Sequence, residues 1–170
     1  MMNNHKLINP DTNSKCFSRF RRMRDWGERL DIFIKTNKGE VGAHLIVLAA
    51  SFPYLGKYLN NKDVVRVRLP ENSHEVVNAA VEYAYGGIEN ISPKVALRLY
   101  HLAHYLQNET LEAGCIMLSC AMIEETNVSE VWSSANATKN EFLFGVYVHL
   151  VALNWDYIFL TNRHKRIDKE

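Results

Sequence analysis

The run from Asp31 to Leu55 constrains the fold of this chain more than any other part of its sequence. Ile32 and Ile34 alternate with Phe33 and Lys35, and this period of two predicts a β-strand. Asn37–Gly39 predicts a turn in which Gly39 is free to adopt a positive φ angle. Residues 40–44 then predict a short return strand. The sequence therefore predicts a β-hairpin here, and no part of the run is a catalytic motif.

The hairpin is followed by two short helical segments. Leu45 to Ala50 is a continuous apolar run, which we interpret as wholly buried. Ser51–Pro53 interrupts it, because the residue before a proline is disfavoured in helical geometry. A second short helix is predicted from Pro53 to about Asn60.

An amphipathic helix is predicted ahead of the hairpin, from Cys16 to Leu30. Its large apolar side chains recur at spacings of three and four residues, which places them on one face. Arginines occupy the rest of the surface, and we interpret them as solvated. The apolar face can cover the core of its own domain, or it can pack against a second copy of the chain. The apolar residues are Phe17, Phe20, Met23, Trp26 and Leu30.

The remaining pattern predicts one strand and five helices. The strand covers Val65–Leu69, with its arginines outward. Ser73 and Ser92 are placed to cap the next two helices, and the first of these ends at Gly86–Gly87. Three more helices are predicted over about 109–124, 128–138 and 140–160, the first with Leu111, Cys115, Leu118 and Met122 as its core face. A small mixed sheet flanked by helices is an α+β fold with a helical extension.

Composition excludes several classes of function. The 170 residues are enough for one domain, or for one domain and part of a second. With a net charge of +1, the chain is predicted to bind neither nucleic acid nor a membrane surface. Three cysteines form no disulfide framework and favour a reducing compartment. Residues 1–14 are polar, and we predict a disordered arm there.

No enzymatic or metal chemistry is predicted. His101 and His104 are three residues apart on one helix, but a zinc site needs three or four ligands. Cys115 and Cys120 are five apart and fall on different helix faces. No nucleophile elbow or phosphate-binding glycine loop is present. The sequence therefore predicts a protein that is not an enzyme and has no cofactor.

Several motifs together resemble the BTB/POZ domain, and more narrowly its Kelch-like branch. The resemblance extends in order over about residues 16–170, although no Kelch repeats are present. It predicts a BTB/POZ domain over residues 15–125 and the first helices of a BACK domain over residues 126–170. The chain is then either a fragment or a shortened member of that branch. The motifs are Asp31, Ala43–His44, Val47–Ser51, Tyr54, Tyr83–Gly87, Leu102–Gln107, Leu111 and Cys115.

The resemblance implies a homodimer in which the N-terminal helix lies in a two-fold interface. The family's Asp lies at the floor of that interface, where a basic residue after the His helps to neutralise it. Here Leu45 occupies the basic position, so Asp31 needs backbone donors, a nearby His or solvent. An Asp that caps the hairpin at the surface is the alternative. The predicted interface residues are Phe17, Phe20, Met23, Trp26, Asp31 and His44.

The resemblance also implies a substrate adaptor that recruits a cullin scaffold to a RING ubiquitin ligase. Cullin-binding relatives carry a hydrophobic-x-Glu motif in the loop that corresponds to residues 60–64, whereas this loop is shorter and lacks the Glu. The alternative is an oligomerisation module of a transcriptional or cytoskeletal protein that binds no cullin. Cytoplasmic residence is predicted, with Arg163–Arg166 as a nuclear-localisation candidate. The predicted cullin-binding residues are Tyr58, Leu59, Asn61, Tyr105, Val128, Val131 and Trp132.

Overall fold

The hairpin predicted from the alternating residues forms two strands of a three-stranded mixed sheet. In this computed structural model, which describes residues 11–61, 63–121, 132–133, 135–137, 139 and 141–153, β1 is Ile32–Thr36 and β2 is Gly39–Ala43. The two strands are antiparallel and pair Ile32 with Ala43 through to Thr36 with Gly39. Gly39 has a φ angle of +121°, which confirms the prediction for the turn. A residue with a Cβ atom is strained at this positive φ angle, whereas glycine, which has none, is not.

The third strand completes the sheet on the other side of β1. β3 is Val65–Arg68, and it runs parallel to β1, so the strand order is β2-β1-β3. Ile32, Ile34 and Val67 are buried on one face. The chain divides into two compact units, residues 1–90 and 91–170, and the sheet belongs to the first.

Helices cover the buried face of the sheet within the first unit. α1 is Thr12–Asp25, α2 is Leu45–Ser51, and a 3-10 helix follows at Pro53–Tyr58. α3 is His74–Ala84, with five buried apolar residues at helical spacing. α2 and α3 pack together, and α3 also contacts β1 and β2. Packing helices against one face of a sheet is the expected way for a small α+β unit to bury its apolar side chains.

The second unit is helical in the part that the structure describes. α4 is Pro93–Tyr105, α5 is Glu109–Ala121, and α6 is Glu141–Leu153. α4 and α5 pack against each other. Ser92 caps α4 by accepting a hydrogen bond from the N–H of Val95, as predicted. Asn108 does the same for α5 through the N–H of Leu111, at 2.8 Å.

Two boundary predictions differ from the structure at α1. The helix begins at Thr12, inside the range predicted as a disordered arm, and it ends at Asp25 rather than Leu30. Gly27, with a φ angle of +70°, donates to the carbonyl of Arg24, and Glu28 donates to the carbonyl of Met23. These two bonds form a Schellman motif, which ends a helix by satisfying its last carbonyls.

The predicted core face of α5 is partly wrong. Leu111 and Cys115 are buried, but Leu118 is 42% exposed. Met122 and residues 1–10 lie outside the described residues. Of the helix predicted over 128–138, residues 132–133 and 135–137 are described and helical. Burial raises the pKa of the Cys115 thiol to about 12, so this thiol is neutral at physiological pH.

Arg24 attaches α1 to the rest of the first unit. The sequence predicts instead that the arginines of α1 are solvated. The Arg24 guanidinium donates to the carbonyl oxygen of Gly42 at 3.1 Å and to Asn78 Oδ1 at 2.8 Å. It also forms an ion pair with Glu82, and only 11% of the Arg24 side chain is exposed. Arg21 likewise donates to the carbonyl of Gly87. The prediction of a solvated face is therefore wrong for these two arginines.

Replacing Arg24 with Met should destabilise the first unit. Arg24→Met keeps the aliphatic bulk but leaves Glu82, Asn78 and the Gly42 carbonyl without their donor, which costs about 1–3 kcal/mol in free energy of unfolding. Urea denaturation at a fixed protein concentration measures this loss. Arg22→Met is the matched control, since Arg22 is exposed on the same helix, and its effect should stay within about 0.5 kcal/mol. Equal losses in the two variants would contradict the anchoring role of Arg24.

Candidate functional site

The apolar face of α1 divides into an inner and an outer part. Phe20 and Met23 are half-buried, whereas Phe17 is 42% exposed and Trp26 is 70% exposed. The interpretation that the helix covers the core of its own domain therefore applies to Phe20 and Met23 but not to Phe17 and Trp26. Phe20 contacts the imidazole of His44 in the first unit. Phe17 and Trp26 are about two and a half helical turns apart, so they are two separate exposed aromatic positions, and aromatic residues are enriched at protein interfaces.

His44, predicted at the dimer interface, is buried inside the first unit. Its Nε2 is 2.9 Å from the carbonyl oxygen of Glu28, and its Nδ1 is 2.6 Å from the hydroxyl of Tyr85. The backbone N–H of His44 also donates to that hydroxyl, at 2.8 Å. The ring of Phe20 lies 6.0 Å from the imidazole, centroid to centroid. His44 thus connects α1, the start of α2 and the end of α3.

The hydrogen bonds of His44 define one tautomer. A carbonyl can only accept, so Nε2 carries a hydrogen and donates to Glu28. The Tyr85 oxygen accepts from the backbone of His44, so its own proton is free to be donated to Nδ1. Burial raises the pKa of Tyr85 above its ordinary value, which keeps that proton in place. Every donor and acceptor in the group is satisfied when the imidazole is neutral.

A backbone N–H group donates a hydrogen bond to the carboxylate of Asp31. Its Oδ1 accepts a hydrogen bond of 2.6 Å from the N–H of Leu45, the first residue of α2. Asp31 itself is exposed, while the side chain of Leu45 is 5% exposed. The carboxylate therefore caps a helix N-terminus, where the backbone dipoles favour negative charge. The capped element is α2 rather than the hairpin.

Ile46 is an exposed residue that the sequence analysis missed. The interpretation of residues 45–50 as wholly buried is wrong, because Ile46 is 59% exposed and Ala50 is also exposed. The two residues are four apart and share one face of α2, opposite to buried Leu45 and Leu48. Helical periodicity within the apolar run would have identified this face. Ile46 follows His44 by two residues, at the end of α2 that contacts α1 through Phe20.

The first group of predicted cullin-binding residues lies at the end of the 3-10 helix. Leu59 is 46% exposed, Asn61 is exposed and Tyr58 is half-buried. The N–H groups of Leu59 and Asn61 donate to the carbonyls of Gly56 and Tyr58, which shapes the backbone here into successive turns. Leu59 thus presents an apolar side chain immediately before the short loop.

The second group belongs to the second unit. Tyr105, the last residue of α4, is half-buried. Trp132 is 43% exposed, and its ring lies 5.5 Å from that of Phe144 and 4.7 Å from that of Tyr147, both on α6. Val128 and Val131 lie outside the described residues.

The described residues give no group of three or more His, Cys, Asp and Glu that could hold a metal ion. His104 Nδ1 lies 3.2 Å from a carboxylate oxygen of Glu112, and the His101 ring contacts Tyr100 edge-on. No helix in the described part is long and apolar enough to cross a membrane. Arg163–Arg166 lies outside the described residues.

Removing the Tyr85 hydroxyl should destabilise the protein more than removing that of its neighbour Tyr83. Tyr85→Phe leaves the buried N–H and Nδ1 of His44 without a partner, which costs about 1–3 kcal/mol in free energy of unfolding. Tyr83→Phe is the matched control, because Tyr83 is half-buried and no hydrogen bond of its hydroxyl occurs in the described part of the chain. Chemical denaturation of both variants measures the difference. A loss for Tyr85→Phe no larger than that for Tyr83→Phe would contradict the tautomer assignment.

Comparison with known proteins places this geometry in a family. The family model of the BTB/POZ domain matches residues 20–122. Among solved structures 144 chains match, including the BTB (Tramtrack and Bric a brac) domain of human gigaxonin. That match has 18% sequence identity and a TM-score of 0.59, and covers 69% of this chain and 98% of that one. No curated protein matches. The predicted α+β fold with a small mixed sheet is confirmed, and the chain belongs to the BTB/POZ domain family.

Proposed function

We propose that this chain homodimerises through α1 and serves as a non-catalytic substrate adaptor for a cullin-RING ubiquitin ligase. BTB domains are protein-interaction modules, so the proposal concerns which partners this one binds. The observation that carries it is the exposure of two aromatic side chains, Phe17 within α1 and Trp26 at its C-terminal end, on a helix that the first unit holds in place.

The first unit holds α1 as a rigid element. Arg21 and Arg24 attach it to the backbone and side chains of the same unit, and His44 contacts it through Phe20 and the carbonyl of Glu28. Trp26 therefore protrudes from an ordered helix end rather than from a mobile arm. A preorganised aromatic residue loses little conformational entropy on binding, and tryptophan is enriched among residues that dominate interface energies.

A second copy of the chain suits these exposed aromatics, because in a contact with two-fold symmetry both copies use the same patch. Phe17 and Trp26 would be covered in such a contact, with Ile46 of α2 as a further apolar residue of the same unit. The resemblance to Kelch-like proteins supports the same assignment, since their N-terminal helix lies in the dimer interface.

Removing the outer aromatics should weaken self-association. Sedimentation velocity over a micromolar concentration series should give a dimer for the wild type. The double variant Phe17→Ala/Trp26→Ala should raise the dissociation constant at least about tenfold, since aromatic anchors in interfaces contribute about 2 kcal/mol or more.

Met117→Ala is the control for this experiment, because Met117 is 71% exposed in the second unit and is not part of the proposed interface. Its dissociation constant should equal that of the wild type. A monomeric wild type at micromolar concentration would refute the homodimer, and an effect of Met117→Ala as large as that of the double variant would reassign the interface.

Cullin recruitment is supported by two exposed apolar residues at the positions that the resemblance implies. Leu59 precedes the short loop, and Trp132 lies against α6 in the region proposed as the start of a BACK domain. Such residues can insert into pockets of a partner and supply much of the interface energy. Leu59 would replace the hydrophobic anchor of the missing hydrophobic-x-Glu motif.

Calorimetric titration with the N-terminal domain of a cullin tests this part of the proposal. Wild-type protein should bind with a submicromolar dissociation constant, and Leu59→Ala should weaken binding by at least about tenfold. Met117→Ala is again the control and should bind like the wild type. Binding that is insensitive to Leu59→Ala would exclude the loop as the anchor.

The alternative is an oligomerisation module with no cullin binding. The short loop at residues 60–64, which lacks the Glu, favours it. Absence of heat in the same titration at tens of micromolar protein would select this alternative, while a dimer in sedimentation would remain compatible with both.

A further inference from the structure

One face of the sheet carries three exposed cations, Lys35, Arg66 and Arg68. Ile32, Ile34 and Val67 point into the core, so the residues between them point to the opposite face. Residues that pair on adjacent strands lie on the same face. The pairing therefore places one row of three residues across the strands and a second row beside it. The first row is Glu40, Lys35 and Arg68, and the second is Gly42, Phe33 and Arg66.

The single carboxylate in these two rows is already engaged. Glu40 Oε1 lies 3.6 Å from Nε of Arg66, although Lys35 is its register partner. The Arg66 guanidinium also lies over the Phe33 ring, 5.3 Å from the centroid, in cation–π geometry. Arg66 thus has an ion-pair partner and a cation–π contact within the protein, although its side chain is 65% exposed.

Lys35 and Arg68 are direct register partners with the same charge. Both side chains are exposed, and neither has a carboxylate within salt-bridge distance in the part of the chain that the structure describes. Like charges directly opposite one another destabilise a pair of strands. An anion placed between them would remove that penalty, so the pair is an attractive point for a negatively charged group.

A cleft of about 300 Å³ lies at this end of the sheet. Its lining contains both cations and no acidic residue, in contrast to the cleft between α1, β2 and α3, whose lining includes Asp25, Glu40 and Glu82. The walls are fixed, because the N–H of Asn37 donates to the carbonyl of Asn72 at 2.7 Å. The lining residues are Lys35, Thr36, Arg68, Leu69, Pro70 and Asn72.

We propose that this cleft and the adjoining sheet face bind an acidic, extended segment of a partner protein. Lys35 and Arg68 would pair with a carboxylate, and the exposed carboxamide of Asn72 would donate a further hydrogen bond. Pro70, the exposed apolar residue of the lining, would pack against the aliphatic stem of a Glu side chain. Two cations in a narrow cleft match single carboxylates along a peptide, whereas a nucleic acid or a lipid surface requires a broad basic area, which a chain of net charge +1 does not provide.

Fluorescence anisotropy of the full chain tests the proposal with a short fluorescein-labelled peptide of alternating Glu and Ser. At low salt the wild type should bind it, and Lys35→Gln/Arg68→Gln should weaken binding by about tenfold or more, because two charge-assisted pairs are lost. The matched control is Arg19→Gln/Lys94→Gln, which removes two exposed cations elsewhere and gives the same net charge. Its affinity should stay within about twofold of the wild type.

Three results would overturn the proposal. These are an equal loss in the control variant, equal binding of a peptide with Gln in place of Glu, and displacement of the peptide by inorganic phosphate, which would indicate a simple anion site. Melting temperatures separate binding from folding. The Lys35→Gln/Arg68→Gln variant should melt at or above the wild-type temperature, since a repulsion is removed, and the peptide should raise the melting temperature of the wild type alone.

Discussion

The arrangement of the first unit depends on one buried imidazole. His44 bonds to the carbonyl of Glu28 on one side and to the hydroxyl of Tyr85 on the other, and it contacts the ring of Phe20. His44 precedes α2, and its partners come from α1, the turn after α1 and the end of α3. Because every polar atom in the group is satisfied, the position of α1 relative to α2 and α3 is specified by directional bonds, whereas apolar packing alone would tolerate sliding. The exposed residues of α1 and α2 are therefore held in fixed positions relative to one another.

Polar anchoring also explains how α1 can keep large aromatics in solvent. A helix that relied on its apolar face for attachment would have to turn Trp26 inward. Here Arg24 and Arg21 provide much of the attachment, and the Arg24–Glu82 pair is partly shielded from water. The partial burial of that pair strengthens its electrostatic interaction but adds a desolvation cost, so its main effect is positional specificity. Phe17 and Trp26 therefore remain exposed to solvent.

The sequence predicted the elements well where the information is local. The hairpin, the positive φ of Gly39 and the cap at Ser92 follow from neighbouring residues alone. The bonds of Arg24 and His44 could not be predicted in this way, because their partners lie 58 and 41 residues away. The end of α1 was missed because the helical periodicity continues past Gly27. The exposed Ile46 was missed because a continuous apolar run conceals which of its faces is outward.

The cap on α2 has a consequence for position 45. Asp31 is satisfied by the backbone N–H of Leu45, a group that every residue except proline supplies at that position. The carboxylate therefore places almost no chemical demand on the side chain of residue 45. A leucine there therefore leaves the cap intact, and its buried apolar side chain adds packing that a cation would not provide. The cap on α2 thus constrains position 45 only through its backbone, and it excludes proline alone on that ground.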